Sequence, residues 1–210
     1  MTRRGLILLA ALSLTVGSPA RAENCMALSP EPPTKEIVTP QAADILLVGD
    51  SIAAGWPRVM LEAVFPGHRV GKIAVSGERV QQTRWKLDSG RFDHLAPRIV
   101  ILVVGTNNLG KNQPCAISDA VLQVVADIQQ RWKPEHIIVF GILPRGIGGE
   151  FQKAARLEIN AALRKGLADQ ATLRYIDHDD KMSCAPCAPF RPDNTHLTTD
   201  GYRIMTDALR

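Results

Sequence analysis

Six consecutive apolar residues, Ile99-Val100-Ile101-Leu102-Val103-Val104, constrain the fold of this chain more than any other stretch. A strand that is apolar on both faces has to be covered on both, as in a parallel sheet lying between two layers of helices. Shorter runs of the same kind occur at Ile45 to Val48, Val70 to Val75, Ile137 to Phe140 and Leu173 to Ile176. Between them lie segments of helical character: Ala53 to Val64, Val80 to Leu87, Ser118 to Trp132, Phe151 to Ala168, and a last helix beginning near Thr198. Val121, Val124, Val125, Ile128 and Trp132 share one helical face, as do Phe151, Ala155, Ile159, Ala162, Leu163 and Leu167. Five strands alternating with helices predict a three-layer α/β/α sandwich with right-handed crossovers, and 210 residues suit one such core better than two.

The domain is expected to span Asp44 to Arg210. Before it, residues 23–43 carry Pro30, Pro32, Pro33 and Pro40, which lack amide donors and hold the backbone extended, so this stretch reads as a strap. Met1 to Ala22 has a cationic start (Arg3, Arg4), an apolar run from Gly5 to Val16 and the small-x-small triplet Ala20-Arg21-Ala22. These are the marks of an export signal cleaved after Ala22. The run is too short to span a bilayer, and Glu23 and Asn24 argue against a lipid anchor on Cys25, so a chain exported to the periplasm or beyond, without a stable membrane anchor, is expected. Three of the 25 Lys and Arg fall in this acid-free segment, leaving 22 against 21 acids, which is no electrostatic footprint for nucleic acid. All four cysteines, Cys25, Cys115, Cys184 and Cys187, follow the cleavage site. An oxidising compartment then favours disulfides, with three connectivities open. Cys184-x-x-Cys187 could hold zinc with His178 and His196, although a structural bridge is the simpler reading.

In open parallel sheets ligands bind beyond the carboxyl ends of the strands. The first strand ends in Gly49-Asp50-Ser51, which places a hydroxyl at a helix start, where Asp50 or Ser51 also suits a capping role. Ser51 needs a base, and the base needs an orienting group. Asp193-Asn194-Thr195-His196, just before the helix that Thr198 would cap, supplies both at a spacing that lets the carboxylate fold back onto the imidazole. Donors for a developing oxyanion are available from the amide of Ser51, the amide of Gly77 and the side chain of Asn107.

Gly49-Asp50-Ser51, Gly77, Gly105-Thr106-Asn107 and Asp193-x-x-His196 occur in the order and spacing of the GDSL, or SGNH, hydrolase superfamily, which this chain resembles from Asp44 onward. Val104-Gly105-Thr106-Asn107-Asn108, Gly141-Ile142-Leu143-Pro144-Arg145-Gly146 and His196-Leu197-Thr198 with Gly201-Tyr202 are similar to the catalytic subunits of the intracellular platelet-activating-factor acetylhydrolases. The resemblance implies Ser51 as nucleophile, His196 as base and then acid, Asp193 as its orienter, an oxyanion hole of Ser51, Gly77 and Asn107, and no cofactor or metal. It also implies a flavodoxin-like five-stranded parallel sheet of order 2-1-3-4-5. Two departures bear on loop geometry. Asn108 stands where many members have Asp, and Ser76-Gly77-Glu78 stands where the acetylhydrolases have Gly-Gly-Asp.

The expected activity is a serine esterase that removes a short acyl group, acetyl first, from a small ester or an acylated glycan or lipid. Rival readings are an acyltransferase, lysophospholipase or thioesterase with the same triad, an inactive acyl-glycan-binding domain, and a thiol or zinc protein. Trp56, Trp85 and Trp132 fall in helical segments and are expected to pack rather than line a site. Asp177-His178-Asp179-Asp180 reads as a solvated loop, and Arg145 as a surface cation near the crevice.

Overall fold

The computed structural model describes residues 25–182 and 189–210. The expected export segment, Cys184 and Cys187 lie outside them. Five strands, β1 (Ile45–Gly49), β2 (Val70–Ala74), β3 (Ile99–Val103), β4 (His136–Phe140) and β5 (Leu173–Ile176), form one parallel sheet of order β2-β1-β3-β4-β5. This is the doubly wound order expected from the resemblance.

Alternation along each strand sorts side chains into two cores. Leu46, Val48, Val100, Leu102 and Val139 face α3 (Val80–Asp88), α4 (Pro114–Trp132) and α5 (Lys153–Gly166), the layer that contributes Leu87, Val124, Ile128 and Leu163. Ile45, Leu47, Ile101, Val103 and Phe140 face the other way, onto α1 (Ser51–Gly55), α2 (Arg58–Val64) and α7 (Thr199–Asp207), which bring Ile52, Leu61, Tyr202 and Met205. A short helix, α6 (Asp179–Met182), follows β5. Each fully buried aliphatic side chain contributes roughly 1.5–3 kcal/mol, so apolar continuity of the strands is what drives both layers onto the sheet.

The structure corrects several expected boundaries. The helix expected over Ala53 to Val64 is broken into α1 and α2, because Pro57 pushes Trp56 out of helical geometry to φ −64°, ψ 120°. Helix α4 begins four residues earlier than periodicity suggested, with Pro114 in its first turn, a position where a missing amide is harmless. Phe151 lies outside α5 and is 42% exposed, its ring covered on one side by the Arg145 guanidinium 5.0 Å from the centroid.

The strap runs from Cys25 to Ala43 without helix or strand and is fastened along its length. Cys25 is disulfide-bonded to Cys115 at the start of α4. Glu31 meets Arg79 and Gln82, Arg84 donates to the Leu28 carbonyl, and Ile37 and Ala43 enter the core. Among the described residues no helix is long and apolar enough to cross a membrane.

Candidate active site

The turn from β1 into α1 passes directly over β3. Gly49 has φ 144°, and a Cβ there would lie 1.8 Å from the Val103 carbonyl oxygen, so only glycine fits. The same oxygen accepts the Asp50 amide at 3.0 Å. Asp50 then caps α1, Oδ1 accepting from the Ile52 amide at 2.9 Å, while Ser51 occupies the first helical position, buried to 8% exposure. Capping is therefore the role of Asp50, and the Ser51 hydroxyl is left for other work. Helix α1 is held from the far end of the chain by the Tyr202 hydroxyl, which donates to the Ile52 carbonyl at 3.0 Å. Burial pushes the Asp50 carboxyl up to about 7, with Glu78 adding to the shift and Lys86 and Arg145 opposing it; its Oδ2 has no hydrogen-bond partner.

Asp193 and His196 come from the loop between residue 189 and α7. The Phe190–Leu197 bridge, the Arg191 amide on the His196 carbonyl (2.7 Å) and the Thr198 amide on the Pro189 carbonyl (2.9 Å) close this loop at its base. Its tip is held by the Gly146 amide on the Asn194 carbonyl at 2.8 Å, which allows Asn194 its left-handed φ of 50°. Asp193 Oδ1 accepts the amides of Thr195 (3.0 Å) and His196 (2.9 Å), and Oδ2 meets His196 Nδ1 at 2.7 Å. The His196 amide and imidazole lower the Asp193 pKa to about 2. An ionised carboxylate can only accept, so the proton on the ring resides on Nδ1 and Nε2 is free to accept. Nε2 lies 3.0 Å from Ser51 Oγ, across 145 positions of sequence.

The loops after β2 and β3 leave the sheet beside the β1–α1 turn, the Val75 amide donating to the Gly49 carbonyl (2.9 Å) and the Asp50 amide to that of Val103. Val75 to Glu78 make a tight turn closed by the Glu78 amide on the Val75 carbonyl, with Gly77 at φ 85° in its third position, where a glycine is comfortable. Asn107 sits in a 3₁₀ turn (Thr106–Asn108), and its Nδ2 donates to the Glu78 carbonyl at 2.9 Å. Of the two departures noted in the sequence, Asn108 is fully buried: its Oδ1 accepts the Val80 amide (3.0 Å) and its Nδ2 meets Gln81 Oε1 (2.7 Å) and Asn112 Oδ1 (2.9 Å). It ties the β3 loop to the start of α3. Glu78 is likewise buried, paired with Lys86.

The remaining sequence candidates take structural places. Trp56 is buried, edge-on to Phe140 with its indole donating to Thr206 Oγ1 (3.0 Å), and the Trp132 indole donates to the Phe92 carbonyl (3.0 Å). Asp177 and Asp179 pair with Arg164 and Arg156. Arg145 is half-buried rather than a free surface cation, donating to the Thr106 carbonyl at 3.2 Å. Sequence reasoning missed Lys86, Arg156 and Asn160, all buried in helices where a polar residue reads as solvent-facing.

The five-stranded parallel sheet of order β2-β1-β3-β4-β5 flanked by helices is the architecture of the SGNH hydrolase structural class. The chain belongs to the GDSL-like lipase/acylhydrolase family, whose model matches residues 47–204. It is 25% identical over 138 residues to the platelet-activating factor acetylhydrolase IB subunit alpha1 of Homo sapiens, covering 65% of this chain and 59% of that protein. To the alpha2 subunit of Rattus norvegicus it is 27% identical over 175 residues, covering 79% and 74%. In fold it is similar to a lipase/acylhydrolase from Enterococcus faecalis (TM-score 0.63, 18% identity, covering 80% of this chain and 92% of that one). It is similar also to an acetylxylan esterase from Geobacillus stearothermophilus (TM-score 0.62, 14% identity, 81% and 92%).

Proposed function

We propose that this chain is an exported serine esterase that releases a short acyl group, acetyl first, from oxygen esters of small molecules, glycans or lipids. The observation that carries the reading is the unbroken line Ser51 Oγ, His196 Nε2, His196 Nδ1, Asp193 Oδ2, with contacts of 3.0 and 2.7 Å. Ser51 Oγ bonds to the ester carbonyl carbon while Nε2 takes its proton, and the carbonyl π electrons move onto oxygen. The amides of Ser51 and Gly77 and the second Nδ2 hydrogen of Asn107 are the donors for that oxyanion. Collapse expels the alcohol, which takes the proton from the imidazolium, and a water repeats the sequence on the acyl-enzyme. Asp193, held ionised, stabilises the imidazolium at each step.

Three further observations favour the finer points. A cavity of about 110 Å³ walled by Pro33, Thr34, Ser76, Arg79 and Gln82 adjoins Gly77, one of the proposed donors, and is a place for a small acyl group. The His196 side chain is 40% exposed, so water has access to the base, as hydrolysis of an acyl-enzyme requires. The Cys25–Cys115 disulfide suits an oxidising compartment. The test is turnover of p-nitrophenyl acetate: Ser51→Ala should lose at least about 10⁴-fold in kcat with the fold intact, and a fluorophosphonate should label Ser51 in the wild type. Retained turnover by Ser51→Ala overturns the reading, and product analysis with added alcohols separates hydrolysis from transfer.

A further inference from the structure

One residue touches both sides of the oxyanion turn. Glu78 follows Gly77 directly, and its carbonyl holds Asn107 Nδ2 at 2.9 Å, so the two outlying donors of the proposed hole are both one step from Glu78. Its side chain is anchored in turn. Lys86 Nζ lies 2.7 Å from the carboxylate and Thr83 Oγ1 donates to Oε1 at 2.5 Å; Lys86 also donates to the Ile73 carbonyl on β2. The Glu78 and Lys86 side chains are 1% and 0% exposed, and burial works against the charge on each, raising the acid and lowering the amine.

Stability does not account for such a pair. Desolvation of two buried charges offsets most of their attraction, and apolar residues of the same volume commonly fold as well or better. What apolar residues cannot do is fix a backbone carbonyl to within a fraction of an ångström by directional bonds at both ends. The pair spans from the body of β2, through Lys86, to the one residue that carries the Gly77 turn and the Asn107 carboxamide. The α3 start has its own clamp, the Asn108 bonds to Val80 and Gln81, so the helix keeps its place without the ion pair.

We propose that the buried Glu78–Lys86 pair is a positioning device for the oxyanion hole, setting the Gly77 amide and the Asn107 carboxamide at their working separation. Glu78 and Lys86 touch no substrate and act through those two donors. The inference rests on the esterase reading above.

Two variants test it, each against wild type and Ser51→Ala on p-nitrophenyl acetate: Glu78→Met with Lys86→Met, which removes both charges and keeps the volume, and Glu78→Asp, which keeps the charge on a shorter arm. For both we expect thermal unfolding within about 5 °C of wild type, kcat lower by about 10- to 100-fold and KM within about twofold. Binding of a trifluoromethyl ketone, which mimics the tetrahedral oxyanion, should weaken in proportion to kcat. A folded variant with kcat within about twofold of wild type overturns the assignment, as does a loss confined to KM. Should the double variant fail to fold, Glu78→Asp decides by the same criteria. Failure of the esterase reading looks different: the wild type itself then turns over no ester and Ser51 takes no fluorophosphonate, and the assignment falls with it.

Discussion

The two sides of Ser51 are built on opposite principles. On the proposed base side, Asp193 and His196 stand on an exposed loop, the carboxylate half in water, ordered by short-range hydrogen bonds within residues 189–198, an anchor to Gly146 and the burial of Leu197. On the oxyanion side, Glu78, Lys86, Thr83 and Asn108 are sealed from solvent and bonded across two loops and a helix. In the proposed mechanism the base has to cycle through a charged state and change partners during a turnover, which tolerates solvent and a little freedom. Oxyanion donors help only to the extent that they are already in place when the charge develops. Local order suffices for the first task, whereas the second draws on tertiary structure.

Substitutions on either side can break or sharpen that contrast. Asp193→Asn should cost the most after loss of Ser51 itself, about 10²- to 10⁴-fold in kcat, because a neutral amide no longer enforces the Nδ1–H form of His196. With the side chain 51% exposed, thermal stability should barely move, the two readings being kinetics and a melting curve on the same sample. Asn107→Ala removes one proposed oxyanion donor and should lower kcat about 10²- to 10³-fold with KM little changed. Here the melting temperature should fall as well, because the Glu78 carbonyl loses its partner. If Asp193→Asn proved the more destabilising of the two, the contrast would be wrong.

The sequence made one of these sides far more legible than the other. Strands declare themselves by continuous apolarity, and the doubly wound order followed from the motif blocks that the β1, β2 and β3 ends carry. Asp193 and His196 are readable because their spacing is local: three residues bring carboxylate and imidazole together whatever the rest of the chain does. Glu78 and Lys86 are not, since a lysine in a helix with polar neighbours has the pattern of a solvated face, and only its tertiary bonds to Glu78 and to the Ile73 carbonyl on β2 reveal its burial. The Ser76-Gly77-Glu78 departure pointed to the right loop without its partner. The break at Trp56–Pro57 was available from the proline, and the apolar flanks on either side masked it.

The strap reaches one of these sides only, through Glu31 on Arg79 and Gln82 and through Pro33 and Thr34 beside Gly77. Reduction of the disulfide, or Cys25→Ser with Cys115→Ser, releases a tether between residues 90 positions apart. A loss of about 2–4 kcal/mol is expected on that ground, read as a shift in the urea midpoint. Because Pro33 and Thr34 wall the small cavity beside Gly77, the same variant should hydrolyse longer acyl esters better relative to acetate, while the Asp193–His196 side is untouched. An unchanged chain-length profile would remove the strap from the specificity of the site.

The smallest effect concerns Asp50, where the sealed side reaches the nucleophile's own neighbour. Its carboxyl is raised to about 7 in the fold against 3.8 for an ordinary aspartate, so between those values the folded chain holds a proton that the unfolded chain has released. Stability from this group therefore falls as pH rises from about 4 to 7 and stays low above, the reverse of a salt-bridged carboxylate. Asp50→Asn keeps an oxygen for the Ile52 amide and cannot ionise. Its amide hydrogens inherit the unpartnered position of Oδ2, a cost that does not depend on pH, so the diagnostic quantity is a slope. Relative to wild type the variant should gain about 1–4 kcal/mol between pH 5 and pH 8 in urea unfolding. Parallel stability curves would mean that water or a cation reaches Asp50 and that the sealed region stops short of Ser51. A divergence confined to that interval would extend the sealed region to the residue that bears the hydroxyl.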